Sequence, residues 1–269
     1  MTRPFRFGLV TPVLTDPATW RDRVHRIADL GYSTVLMPDT PLWQPAPAPT
    51  LAVAAALETD LRVGTWVSAV PFRPAWALAW EAHSLTVLTD GRFELGLGTG
   101  RPGIEGELQG YGMPVPTAGE RIGLMRDTVT QLRELDGADH HTPVVMAVRG
   151  PKAVALADEA ADIVTFASRG TDTREDLARL ARTFRDRDVE LGLHVSVVGD
   201  GIAAFMASAA ETDPAAMRAA DSLAQLPDDP GAAIEELHRR RDELGFSYIV
   251  TGADFAETMA PVVAALSGR

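Results

Sequence analysis

Short β-rich runs alternate with longer helical patterns along the whole chain, and this alternation constrains the fold more than any other feature. The strand candidates are Phe5–Val10, Thr34–Met37, Leu61–Val67, Phe93–Leu97, Val144–Ala147, Ile163–Phe166, Leu191–Val198 and Phe246–Thr251. Each is followed by a helical pattern: Pro17–Leu30, Ala48–Leu57, Pro74–Leu88, Gly119–Leu135, Pro151–Ala160, Arg174–Arg185, the stretch Gly201–Leu244 broken at Pro214 and Pro227–Pro230, and Phe255–Leu266. Asp16 reads as an N-cap before Pro17, and Gly31 as a helix stop. Strict alternation implies parallel strands joined by right-handed crossovers, and eight units imply closure. The expected fold class is therefore α/β, a (β/α)8 TIM barrel, with residues 1–269 forming a single domain. An open doubly wound sheet is the rival. It usually needs a glycine-rich first turn, and Thr11-Pro12-Val13-Leu14-Thr15 has no glycine.

Composition narrows the function. With a net charge of −12, the chain repels nucleic acid and anionic membranes, so neither is an expected partner. Cysteine is absent, which excludes disulfides, thiolate metal sites and cysteine nucleophiles. No long charge-free apolar run predicts a membrane span, and Met1–Phe5 has no apolar leader, so a cytoplasmic location is expected.

In a barrel of this kind, chemistry belongs at the C-terminal ends of the strands. The residues there are Thr11, Met37-Pro38-Asp39-Thr40, Trp66-Val67-Ser68, Gly98-Thr99-Gly100-Arg101, Val148-Arg149-Gly150-Pro151-Lys152, Ser168-Arg169-Gly170 and Val198-Gly199-Asp200. Gly96, Gly98 and Gly100 alternate along the fourth strand, leaving room for a flat group against the backbone or relieving crowding by the helices. Arg149-Gly150-Pro151 opens a helix whose free amides attract phosphate, with Lys152, Ser168 and Arg169 adding donors. Ordinary caps with solvated arginines would look the same. Asp39 ends an apolar strand, either to bond a ligand or to cap the loop. His194 alternates with Gly192 and Ser196, which suits a lumen-facing or a structural histidine. No HExxH, GxSxG or Walker pattern occurs, so metal and serine-hydrolase chemistry are not expected.

At these residues the chain resembles the luciferase-like monooxygenase superfamily, and within it the F420-dependent oxidoreductases. The resemblance is carried by LRVGTWVSAVPFRPAWALAWEAHSLTVLTDGRFELGLGTG (Leu61–Gly100), ADLGYSTVLMPD, YGMPVPTAGERIGLMRDTV, TPVVMAVRGPKAVALADEAADIV and LGFSYIVTGADFAETMAPVVAAL. It implies a non-proline cis peptide at Trp66–Val67 supporting the cofactor ring, with ring contacts from Asp39, Thr99 and Gly100. It further implies a cofactor phosphate held by Val148, Arg149, Gly150, Ser168 and Arg169, and a homodimer.

The sequence also departs from the family pattern. Thr40 stands where many relatives have histidine, and Arg101 where some F420 dehydrogenases have a glutamate. Asp136–Thr142 replaces an insertion of several tens of residues, a shortening between the fourth helix and fifth strand. These departures argue against sugar-phosphate dehydrogenation. They also leave the pocket open or covered by a partner subunit. The expected activity is hydride transfer between F420 and a small organic substrate, with Asp39, Thr40, Arg101 and His194 as candidate catalytic residues. The alternatives are an FMN-dependent monooxygenase fed by a flavin reductase, or a non-redox ligand-binding descendant.

Overall fold

In the computed structural model, residues 3–11, 16–203 and 212–269 are described. The expected first turn at Thr11–Thr15 lies largely outside these residues, as does the 204–211 part of the helical stretch expected from Gly201.

Eight parallel strand positions close into a barrel. The elements run β1 (Arg6–Val10), α1 (Pro17–Asp29), β2 (Thr34–Met37), α2 (Pro47–Ala55), β3 (Arg62–Thr65), β4 (Ser68–Ala69), α3 (Ala75–Leu88), β5 (Phe93–Gly98), α4 (Ile104–Gly110), α5 (Ala118–Asp136) and β6 (Val144–Val148). They continue with α6 (Pro151–Ala160), β7 (Ile163–Phe166), α7 (Arg174–Arg182), β8 (Glu190–Val195), β9 (Val197–Val198), β10 (Gly201–Ile202), α8 (Pro214–Ala219), β11 (Gln225–Leu226), α9 (Pro230–Leu244), β12 (Phe246–Gly252) and α10 (Ala256–Leu266). The sheet order is β3-β2-β1-β12-β8-β7-β6-β5-β4, and pairing of β3 with β5 completes the ring. Asp16 caps α1 as expected, accepting the Thr19 amide at 2.9 Å.

The period-two alternation of the strands sorts their side chains. Leu9, Val35, Leu95, Val164 and Ile249 point outward into the core shared with the helices. Val10, Leu36, Trp66, Val145, Ile163, Tyr248 and Val250 fill the lumen. At the N-terminal end the lumen is closed by charge. Arg6 bonds Glu190 and Glu94 at 2.7 Å, Arg62 bonds Glu94 at 2.6 Å, and the Arg6 guanidinium lies 3.5 Å from the centre of the Tyr248 ring.

Three expectations are corrected. The run Leu61–Val67 does not form one strand: it breaks after Thr65, and pairing with β5 resumes at Ser68. The stretch from Gly201 is not simply helical. Among the described residues it contains β10 and β11, which join β9 in a small separate sheet, and only α8 and α9 are helices. Strand positions 197–198 belong to that small sheet rather than to the barrel strand, because Ser196 turns to bond the Ala224 carbonyl. Finally, α4 was not anticipated at all.

Two neighbouring helices lack the polar outer face of an ordinary surface helix. The α2 sequence PAPTLAVAA has no charged residue, and α3 has a single acid, Glu81. On α3, Trp76 and Trp80 are 59% and 61% exposed and stack with ring centroids 6.5 Å apart.

Candidate active site

The break between β3 and β4 is a cis peptide bond at Trp66–Val67, at the position expected from the resemblance. Its two side chains diverge. The Trp66 indole enters the lumen and meets Tyr248 and His194 edge-on, with centroids 5.7 and 6.4 Å apart. Val67 remains partly exposed and packs over β5. A Cβ placed on Gly98 would come within 2.7 Å of a Val67 methyl, and one on Gly96 within 2.0 Å of the Thr65 carbonyl oxygen. Gly96 and Gly98 therefore seat the bulge of the neighbouring strand, while Gly100 makes room for Ile104 of α4. Thr65 locks this arrangement: its hydroxyl donates to the Gly96 carbonyl at 3.0 Å and accepts from the Gly96 amide at 2.9 Å.

Asp39 is buried beside this bulge, and its carboxylate is engaged by protein groups. Arg73 grips both oxygens at 2.6 and 3.1 Å, and the Ala69 amide donates to Oδ2 at 3.1 Å. Asp39 thus ties the loop after β2 to the segment that resumes after the bulge. Sequence reasoning did not single out Arg73, although it lies in the PFRPA loop that carried the resemblance. Next to Asp39, the Thr40 hydroxyl is buried with no hydrogen-bond partner.

Gly100 has a φ of +100°, and a Cβ there would lie 2.3 Å from the Ile104 side chain, so both conformation and packing require glycine. The backbone turned by Gly100 delivers Arg101 to Glu107 on α4 at 2.7 Å, with its guanidinium 5.9 Å from the Trp43 ring centre. The Thr99 carbonyl accepts from Arg121 at 3.3 Å.

Across the mouth, the loops after β6 and β7 are joined by one ion pair. Arg149 donates to both oxygens of Asp172 at 2.6 and 2.9 Å, and to the Ala167 carbonyl at 3.1 Å. The Arg169 amide also donates to Asp172 at 2.7 Å. Arg149 and the amide of Arg169 hold the Asp172 carboxyl below the usual carboxylate range. Asp172 was missed because an acid after an Arg-Gly turn gives no sequence signal until the loop opposite is known. Gly150 is the N-cap of α6 and provides no side-chain cap, so the first amides of that helix have no side-chain acceptor from the cap residue. Lys152, the only lysine in the sequence, stands in its first turn.

Asp39, Thr40, Thr99, Gly100 and Arg101 follow β2 and β5, and Val148, Arg149, Gly150, Ser168 and Arg169 lie at or after the ends of the next two strands in the ring, β6 and β7. His194 lies lower, on the lumen face of β8 against Trp66. Burial pushes its imidazole down to about 4, so it is neutral at physiological pH. Among the described residues, no group of three or more His, Asp or Glu side chains is arranged to hold a metal ion, and no helix is long and apolar enough to cross a membrane. A cavity of about 700 Å3 opens on the flank beside α8, β11 and α9, lined by residues such as Arg218, Gln225 and Arg239, none of which belongs to the mouth.

The relatives of the chain agree with this architecture. It is 29% identical over 295 residues, covering 86% of this chain and 87% of the relative, to a protein of Intrasporangium calvum named F420-dependent glucose-6-phosphate dehydrogenase. Its fold matches the coenzyme F420-dependent tetrahydromethanopterin reductase of Methanopyrus kandleri with a TM-score of 0.70 at 14% identity, covering 98% of both chains. It also matches the oxygenating constituent of 3,6-diketocamphane monooxygenase from Pseudomonas putida, a complex with FMN, with a TM-score of 0.68 at 12% identity over 98% of this chain and 96% of that one. The sequence pattern of the luciferase-like monooxygenases matches residues 4–247. With that match spanning nearly the whole barrel, the chain belongs to the luciferase-like monooxygenase family.

Proposed function

We propose that the protein is an oxidoreductase that transfers hydride between coenzyme F420 and a small organic substrate. The observation that carries this reading is the close seating of Thr65 and Val67 on Gly96 and Gly98 at the C-terminal end of the barrel. It gives a flat ring a rigid backing beside Thr99 and Gly100. The opposite loops fit a phosphate: α6 has an N-terminus without a side-chain cap, and Arg149, Lys152, Ser168 and Arg169 surround it. In this reading Trp66, Val67, Thr99 and Gly100 hold the ring, and Val148, Arg149, Gly150, Ser168 and Arg169 hold the phosphate. The bound deazaflavin supplies the hydride chemistry. The chain's own residues orient the substrate and move a proton, and Thr40, Arg101 and His194 are the candidates. Asp39 acts through its tie to Arg73 and Ala69, fixing the loop that presents Thr40.

The name of the Intrasporangium relative supports F420. The family description and the camphor-enzyme fold match support a second reading, in which reduced FMN from a reductase partner occupies the same seat and the reaction is a monooxygenation. Titrating the purified protein with F420 and FMN side by side separates them. The expected result is saturable quenching of F420 fluorescence with at least tenfold weaker FMN binding. Binding of FMN alone would replace the first reading by the second, and binding of neither would remove both.

The protein acts as a homodimer in this reading. Support comes from α2 and α3, whose outer faces carry almost no charge in a chain of net charge −12. The two exposed indoles alone leave about 300 Å2 of aromatic surface uncovered. That is a large share of the roughly 800 Å2 per partner that a stable interface buries.

A further inference from the structure

The mouth has two chemically different walls. One is built by the loops after β2, β4 and β5 together with α4. Ile104 and Leu108 of α4 pack on Ala69, Phe72 and Met113. Tyr111 stands edge-on to Phe72 with ring centroids 6.3 Å apart, and Trp43 lies beneath Arg101. Trp43 and Tyr111 are nonetheless 57% and 41% exposed, so the loops on this side of the barrel end carry uncovered aromatic surface.

Its cations are all neutralised. Arg73 pairs with Asp39 at 2.6 Å, Arg101 with Glu107 at 2.7 Å and Arg121 with Glu105 at 2.6 Å. The spare hydrogen-bonding capacity at its foot is neutral as well: Thr40 Oγ1 and Gln44 Oε1 are buried without partners. The opposite wall differs. Among the described residues neither the Lys152 nor the Arg169 side chain has an ion-pair partner; Lys152 stands in the first turn of α6, and Arg169 in the loop that Asp172 ties to Arg149. Charge for an anion is thus available where the proposed cofactor phosphate lies, and is cancelled where a substrate would meet the ring.

We infer that the Trp43–Tyr111 wall selects an uncharged, largely apolar substrate of aromatic-ring size bearing a neutral oxygen function, and rejects sugar phosphates. The inference rests on the proposed cofactor site only in taking this wall as the substrate side. Aromatic side chains recognise apolar rings through area and edge-to-face contact. A phosphate ester placed against paired arginines would have to compete with the carboxylates already holding them, or be left desolvated.

Calorimetry on the full chain with F420 bound, and again without it, tests the idea with two probes, the neutral aryl ketone 2-acetonaphthone and glucose 6-phosphate. The ketone is expected to bind at least tenfold more tightly. Trp43→Ala and Tyr111→Ser should each weaken the ketone about tenfold while leaving F420 affinity unchanged. Glu107→Gln, which frees Arg101, should raise affinity for glucose 6-phosphate. Equal or tighter binding of glucose 6-phosphate by the unaltered protein would overturn the inference. So would a change of oligomeric mass, instead of ketone affinity, in the Trp43 variant, since the wall would then be a contact between copies. Ketone binding without F420 binding would sink the cofactor proposal and leave this one standing. F420 binding without ketone binding would do the reverse.

Discussion

At Gly96 the difference between a hydrogen and a methyl group decides whether the bulge can exist. The ideal Cβ position is 2.0 Å from a backbone carbonyl oxygen, an atom with no rotamer to yield. At Gly98 the obstructing atom is a Val67 methyl at 2.7 Å, which a χ1 change can move. Gly96→Ala is therefore expected to cost about 3 kcal/mol or more and Gly98→Ala about 1 kcal/mol, overpacking penalties of unequal severity. Urea denaturation of both variants checks the order, and equal penalties would refute the backbone argument. The glycine alternation itself was legible in the sequence. What it accommodated was not, because the partner lies on a strand some thirty residues away and faces β5 only once the barrel has closed. Asp39 was legible in the same limited way. An acid at the end of an apolar strand signals a role, but only the fold shows that Arg73 and Ala69 already hold its carboxylate.

The elements that could be read from sequence are those with strong local punctuation. Asp16-Pro17 and Gly150-Pro151 each set a helix start, and the observed helices begin there. Helix α4 was missed because GIEGELQG is short and bounded by glycines, too weak to declare a helix without the packing of Ile104 and Leu108 beneath it. The segment from Gly201 misled in the opposite direction. Its alanine-rich composition favours helix, while the pairing of Val197–Val198 with both Gly201–Ile202 and Gln225–Leu226 takes two pieces into strands. Helices α2 and α3 raise a question that local pattern cannot answer, namely what covers a face without charge. If a second copy does, Trp76→Arg combined with Trp80→Glu should halve the mass measured by sedimentation while the far-ultraviolet circular dichroism stays unchanged. An unaltered mass would remove these helices from the interface.

Across the whole molecule, the two ends of the barrel divide stability from binding. The N-terminal end is closed by Arg6, Arg62, Glu94 and Glu190, with Glu94 almost wholly buried beneath two arginines. Glu94→Gln leaves those guanidinium groups short of a counter-charge. It is expected to lower stability by about 3 kcal/mol, with F420 affinity within twofold of the unaltered chain. Paired thermal melts and titrations would measure both, and a tenfold loss of affinity would break the division. The eight-unit alternation made the barrel readable from sequence, since it depends on chain order alone. The charged floor was not, since its four members come from β1, β3, β5 and β8 and meet only after closure.

The two walls of the mouth have a further consequence for how such a chain can change. The Asp39–Arg101 wall, including α4 and Arg121 in the first turn of α5, is encoded before the body of that helix, and the Arg149–Asp172 wall entirely after it. A single genetic crossover within α5 would therefore exchange one complete wall for another while leaving its counterpart intact. Hybrids joined at that helix could acquire a new substrate pocket in one step and still inherit an undisturbed anchor for the cofactor.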